Sequence, residues 1–369
     1  MSPSDEARQW TGYLRVGLVP TFGCNLRCRH CFVETAPGAA EMSAEQFLVL
    51  LGQIEALGVL SLELTGGELF HWRAHPAVLP ALGRVKLPVT ISTNGTLLEP
   101  EHLSALAGGQ VSFCFSLDGP EAVHDRVRGA GAFARTARAA ALCRARDVPF
   151  DLSCTVTRSS LPLLDATAAC AHQWGAGAVL FSPIHRLGGR SEAMAGEALD
   201  DEGCVDLLAR VALLRRNAPA GLEIHARGVD TRVVTVTHPC SVCACWGEFC
   251  PSKKYWPTKL SVLPDGEVLP QSLHVHPRYS LGNAFERGLD AVVAPYWGGA
   301  RHRQFQRLTR HVYQDLIYGS ERLVFFWEEL LHQASSRPSE QLPAYDTVAH
   351  PHDHSAEIEA ARRAGTLGA

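Results

Sequence analysis

Short apolar runs alternate with longer stretches of mixed polarity through the first half of the chain. The runs predict strands over residues 14–20, 61–65, 88–92, 111–117, 150–156 and 178–181. Between them, helices are predicted from Ser43 onward and over 75–84, 100–107, 132–146 and 161–174. Ser43 followed three residues later by Gln46 forms a capping box, which marks the start of the first helix. Six strand-helix repeats imply a parallel sheet with right-handed crossovers. With chemistry at the strand C-termini they describe an α/β fold, a partial (β/α)6 TIM-like barrel.

The alternation breaks after Pro183, at Gly188-Gly189, and a helix over 200–217 follows. Apolar runs at 259–263 and 267–269 flank Asp265-Gly266 and read as a hairpin with an Asp-Gly turn, followed by Ser280-Leu281-Gly282-Asn283. Helical stretches at 301–317 and 321–333 then give way to a Ser/Pro-bearing segment at 334–343 and a tail that is expected to be mobile. The expected organisation is a barrel core over 1–199, a linking helix with a small cysteine-rich α+β extension over 200–297, and C-terminal helices with the tail over 298–369.

Of the 369 residues 46% are hydrophobic, ample for a sizeable core, and the net charge of -4 lacks the basic balance of a general nucleic-acid binder. The polar first nine residues hold no signal-like apolar core, and no run approaches the ~18 apolar residues of a membrane span, so a cytoplasmic protein without a membrane partner is expected. Seven of the twelve cysteines fall into two clusters, three at 24–31 and four at 240–250. In a cytosolic chain such clusters read as metal or redox ligands. The other five, Cys114, Cys143, Cys154, Cys170 and Cys204, lie in apolar segments and are simplest as small core residues.

Cys24, Cys28 and Cys31 form a C-x3-C-x2-C triplet directly after the first apolar run. Three thiolates on one short loop can hold three irons of a 4Fe-4S cluster and leave the fourth open to an exogenous ligand. A zinc loop lacking its fourth ligand and three unrelated core cysteines are the alternatives. Three further apolar runs end in Gly-bearing turns: Gly66-Gly67-Glu68, Ser92-Thr93-Asn94-Gly95 and Ser116-Leu117-Asp118-Gly119. In this order and spacing, over about residues 13–190, the chain resembles the radical SAM superfamily. The family's cluster triplet matches Cys24, Cys28 and Cys31, and its Gly-Gly-Glu motif matches Gly66, Gly67 and Glu68.

The resemblance implies a 4Fe-4S cluster with one open iron and S-adenosylmethionine, cleaved reductively to a 5'-deoxyadenosyl radical that abstracts a substrate hydrogen. Glu68 on its glycine turn suits the methionine ammonium. Asn94, Ser116 and Asp118, at successive strand ends, are placed to reach ribose hydroxyls or the methionine carboxylate. Arg128 is a candidate partner for that carboxylate, with Arg126 the alternative on charge. His30 stands where the family often has an aromatic residue near adenine, and packing would explain it equally. No catalytic acid or radical residue is identified.

Cys240, Cys243, Cys245 and Cys250 can close a second metal site, for zinc or an iron-sulfur cluster. The order of this region resembles the SPASM and twitch extensions of the superfamily, which favours a second iron-sulfur cluster. Gln271 stands where a further cysteine is expected, so the site would be local. The extension points to a peptide-modifying enzyme that cross-links or epimerises a ribosomal precursor. The alternative is an oxidoreductase or epimerase of a sugar or aminocyclitol. A non-catalytic metal scaffold is disfavoured by the intact Cys24, Cys28, Cys31 and Gly66-Gly67-Glu68. An external flavodoxin or ferredoxin would supply the electron. About a dozen residues precede the first strand, so a separate leader-peptide-binding protein is expected rather than a fused one.

Overall fold

The computed structural model describes residues 14–33, 40–231, 258–296, 300–312, 316 and 319–338. Strands β1 (Leu14–Leu18), β2 (Ser61–Leu64), β3 (Val89–Thr93), β4 (Val111–Ser116), β5 (Phe150–Val156) and β6 (Ala178–Pro183) run parallel and pair in sequence order. Helices α1 (Ala44–Leu57), α2 (His75–Leu82), α3 (Pro100–Ala105), α4 (Glu121–Arg128), α5 (Ala132–Arg144) and α6 (Leu164–Trp174) lie between them. The capping box forms at Ser43, whose Oγ accepts from Gln46 N while Gln46 Oε1 accepts from Ser43 N, and Gly58 closes α1 in the left-handed region.

Buried and half-buried residues alternate along β3, β4 and β5, so each strand has one apolar face. Ile91, Phe113, Phe115 and Leu152 on that face share one core with Phe47 and Ile54 of α1. The opposite, inner face is polar: Thr90 and Ser112 meet at 3.3 Å, and Glu63 accepts from Ser92 at 3.4 Å and from Lys259 Nζ at 2.8 Å. The lysine stem crosses Gly17 of β1, where a Cβ would come within 3.0 Å of Lys259 Cε.

The sheet continues past β6. Helix α7 (Asp201–Arg216) leads to β7 (Glu223–Ala226), parallel to β6, and then to β8 (Asp230–Thr231). The expected hairpin is β9 (Thr258–Val262) and β10 (Glu267–Pro270), antiparallel, with Gly266 at φ +86° in the turn, and β11 (Gly282–Asn283) pairs with β10. Strand β9 lies parallel to β1, so residues 258–283, read from sequence as part of an extension, join the barrel strands in one open ten-stranded sheet ordered β11-β10-β9-β1-β2-β3-β4-β5-β6-β7.

The helix predicted over 321–333 is shorter. Val324 and Phe325 form β12, antiparallel to β8, and the helix begins only at Trp327. Leu323-Val324-Phe325-Phe326 is a β-branched and aromatic run that favours an available strand partner over a helical turn. The 301–317 prediction corresponds to a helix at Ala300–His311. Among the described residues no helix is long and apolar enough to cross a membrane. Cys240, Cys243, Cys245 and Cys250 lie outside the described residues, as does the chain after residue 338.

One buried and two half-buried histidines of this fold are held neutral. Burial pushes His124 and His185 down to about 4 and His274 down to about 3. Unfolded histidine titrates near 6.5, so between there and the folded values the unfolded chain binds more protons. Stability should therefore fall as pH drops from about 7 toward 4, by up to about 1.4 kcal/mol per pH unit for each histidine. Chemical denaturation at pH 7 and pH 5 checks this: His274→Gln should show a smaller loss than the parent, and equal losses would contradict the assignment.

Candidate active site

The cysteine loop has almost no regular structure. Its own bonds are few: Gly23 N donates to Thr21 Oγ1 at 2.8 Å, Leu26 N to Cys24 Sγ at 3.4 Å, and Cys31 N to Cys28 O at 3.3 Å. Cys28 and His30 are buried, Cys24 and Cys31 half-buried, and all three thiols are free. Burial pushes Cys24 up to about 11, with Cys28 and Cys31 each opposing its ionisation further. Three free thiols on one loop are the donor set offered here. A cluster that takes one sulfur per iron fits this donor set.

The turn after β2 holds the loop in place. Gly67 N donates to Thr21 O at 2.9 Å and Glu68 N to Gly23 O at 2.8 Å, so the two backbones touch. A Cβ on Gly67 would overlap the Gly23 carbonyl, and Gly66, at φ +111°, leaves no room beside Val19 and Thr21. The Glu68 carboxylate is buried. It accepts from Phe70 N at 3.1 Å, from Asn94 N at 2.8 Å and from Thr93 Oγ1 at 2.8 and 2.9 Å. Burial pushes its pKa up and these donors pull it down.

A second buried carboxylate anchors the loop's far end. Asp118, just past β4, accepts from Arg128 Nε at 2.5 Å and Nη2 at 3.1 Å, contacts His30 Nε2 at 2.9 Å and accepts from Thr155 N at 3.1 Å. Burial alone would raise the Asp118 pKa, but Arg128 and His30 hold it well below the usual carboxylate range. Arg128 closes α4 and also points Nη1 at Cys28 Sγ, 3.9 Å away.

Most of the described residues singled out in the sequence are thus gathered at this loop, whereas no contact of Ser116 or Arg126 with it is seen. Glu68, Asn94, Asp118, Arg128 and His30 are engaged with each other or with the loop. Asn94 Nδ2 reaches Asn25 Oδ1 at 3.0 Å and Cys24 Sγ at 3.8 Å, while its Oδ1 accepts from Thr96. Ser116, half-buried on the inner face of β4, has no hydrogen-bond partner for its hydroxyl among the described residues. Sequence reasoning assigned nothing to Thr93, although it lies inside a quoted motif. It also missed Gly189 and Arg190: Arg190 N donates to Cys31 O at 2.9 Å and its Nη1 to Cys28 O at 3.3 Å, and a Cβ on Gly189 (φ +61°) would meet Cys31 O at 2.9 Å. The Gly188-Gly189 pair signalled it, but read only as a break in the alternation.

Residues 18–159 match the Radical SAM superfamily model. The chain is 33% identical over 169 residues to an AdoMet-dependent heme synthase of Methanosarcina barkeri, covering 42% of this chain and 46% of that protein. It is 35% identical over 169 residues to the mycofactocin maturase MftC of Mycobacterium ulcerans, covering 42% and 43%. The chain thus spans less than half the length of these curated relatives. In fold it is similar to Streptococcus suis SuiB bound to the precursor peptide SuiA, with TM-score 0.64, 17% identity and coverage of 82% of this chain and 69% of SuiB. It is also similar to anSMEcpe with bound AdoMet, with TM-score 0.62, 17% identity and coverage of 96% and 98%. The matched segment spans the cysteine loop, the Gly-Gly-Glu turn and the Asp118–Arg128 pair, so this part of the chain carries a radical SAM superfamily match, on an open α/β sheet.

Proposed function

We propose that this protein is a radical SAM enzyme that modifies a ribosomally made precursor peptide, by cross-linking it or inverting a stereocentre. The observation that carries the reading is the seating of Gly66-Gly67-Glu68 on the cysteine loop, which presents three thiols beside the open end of a half-barrel. Cys24, Cys28 and Cys31 would hold three irons of a 4Fe-4S cluster. Bound there, the cluster and S-adenosylmethionine supply one-electron cleavage of the sulfonium and a 5'-deoxyadenosyl radical that takes a substrate hydrogen atom.

The chain's own residues bind and orient. The backbone carbonyls of Gly66 and Gly67 and the Ser116 hydroxyl, which has no partner among the described residues, offer polar contacts to S-adenosylmethionine. Arg128 spends three of its five N–H groups on Asp118 and Cys28, leaving two for a carboxylate. Glu68 and Asp118, both held by several donors, keep these groups in place. The polar inner face with Glu63, Ser92 and Lys259 gives a polar substrate charged and hydroxyl partners.

A peptide substrate is supported by relatives named for peptide maturation, among them MftC and a PqqA peptide cyclase of Rhodopseudomonas palustris, 32% identical over 156 residues. The heme synthases, matched at similar identity, favour a second reading as a small-molecule oxidoreductase. A flavodoxin or ferredoxin would donate the electron and a separate protein would present the leader. The spacing of Cys240, Cys243, Cys245 and Cys250 supports a second, local iron-sulfur cluster.

Anaerobically reconstituted protein given S-adenosylmethionine and a strong reductant should yield 5'-deoxyadenosine and carry about eight irons per chain if both clusters are cubanes. Cys28→Ala should abolish the cleavage, and undiminished product from that variant would refute the function. The seating itself is tested by Gly67→Ala, which must push apart two touching backbones at a cost of about 1–3 kcal/mol. It should lower the melting temperature and the iron bound at the loop together, whereas unchanged values of both would show that the contact does not matter.

A further inference from the structure

The three loop sulfurs have unlike surroundings. Cys24 Sγ meets neutral amides, Leu26 N at 3.4 Å and Asn94 Nδ2 at 3.8 Å. Cys31 Sγ lies 3.6 Å from the carbonyl oxygen of Val33. Cys28 Sγ, in the most buried of the three residues, meets a guanidinium, Nη1 of Arg128 at 3.9 Å. That guanidinium has little freedom to leave. Its Nε and Nη2 are forked onto the two oxygens of Asp118, and the side chains of Arg128 and Asp118 are 10% and 2% exposed. Asp118 is fixed in turn by His30 and by the backbone of β5 through Thr155 N.

Hydrogen bonds to cluster sulfurs and nearby charge set the potential of an iron-sulfur centre, because reduction adds negative charge that a donor or cation stabilises. We propose that Asp118 is a positioning residue that clamps Arg128 against Cys28 Sγ, and that the clamped guanidinium raises the reduction potential of the cluster held by the loop. This rests on the cluster reading above and gives Arg128 a task beyond binding a carboxylate. A cation with a fixed N–H directed at the sulfur acts in a site shielded from water, where a mobile surface charge would be screened.

The test is an EPR-monitored potentiometric titration of the reconstituted protein in the absence of S-adenosylmethionine, with iron content and the visible spectrum recorded for each sample. Arg128→Gln removes the cation, and Asp118→Asn combined with Arg128→Gln removes cation and carboxylate together, avoiding an unpaired buried charge. Arg128→Lys keeps the charge but not the fork. The loop cluster should shift to more negative potential in Arg128→Gln and in the double variant, with a smaller shift in Arg128→Lys. A merely structural role would lower cluster occupancy without moving the potential of the clusters that remain. Potentials equal to the parent's in Arg128→Gln and the double variant would therefore overturn the inference while leaving the function intact. A parent protein with no reducible cluster at the loop would overturn the function and the inference with it.

Discussion

A loop that must bring three sulfurs together cannot spend its backbone on a helix or a strand, so its shape has to be imposed from outside. Here the imposing contact is backbone on backbone: Gly67 N and Glu68 N bonded to Thr21 O and Gly23 O, at a distance only glycine permits. The other end of the loop is held through Cys31 O by Arg190 N and Ser191 N, and through Arg29 N, which donates to Val127 O. The loop is thus a passenger on the ends of β2, β4 and β6, and its accuracy is that of the sheet.

Two buried carboxylates extend this support, by different means. Glu68 is satisfied almost wholly by neutral donors from its own turn and the end of β3. Asp118 is matched by a cation, and leaving either partner of that pair alone in the interior would cost several kcal/mol. Each carboxylate joins segments distant in sequence, so strand ends, turn and cysteine loop behave as one body. A reaction that generates a radical benefits from such rigidity, because binding groups that do not move hold the reacting atoms in register.

The barrel strands, the capping box at Ser43, the hairpin turn at Gly266 and the positions around the loop were legible because each is written locally, in an apolar run, a spacing or a turn. The parallel pairing of β9 with β1 was not, since it joins residues some 240 apart and has no local signature. Nor was β12, whose partner β8 lies far back in the chain. Within the site, sequence showed that Glu68, Asp118 and Arg128 belong together but not toward what they turn. Glu68 reads as a ligand contact because a glycine turn presents it, and the sequence did not show that its carboxylate also accepts from Thr93 and Asn94. Arg128 could not be tied to Asp118 and Cys28 without the turn of α4 that carries it back to the loop.

The central claim is that the loop holds a cluster with one iron left open for S-adenosylmethionine. Mössbauer spectroscopy of protein reconstituted with iron-57 tests it most directly, recorded before and after adding S-adenosylmethionine without reductant. A cluster held by three cysteines should show a change confined to one iron site as the ligand binds. Spectra that do not change, or a preparation whose loop holds zinc or no metal, would contradict the account.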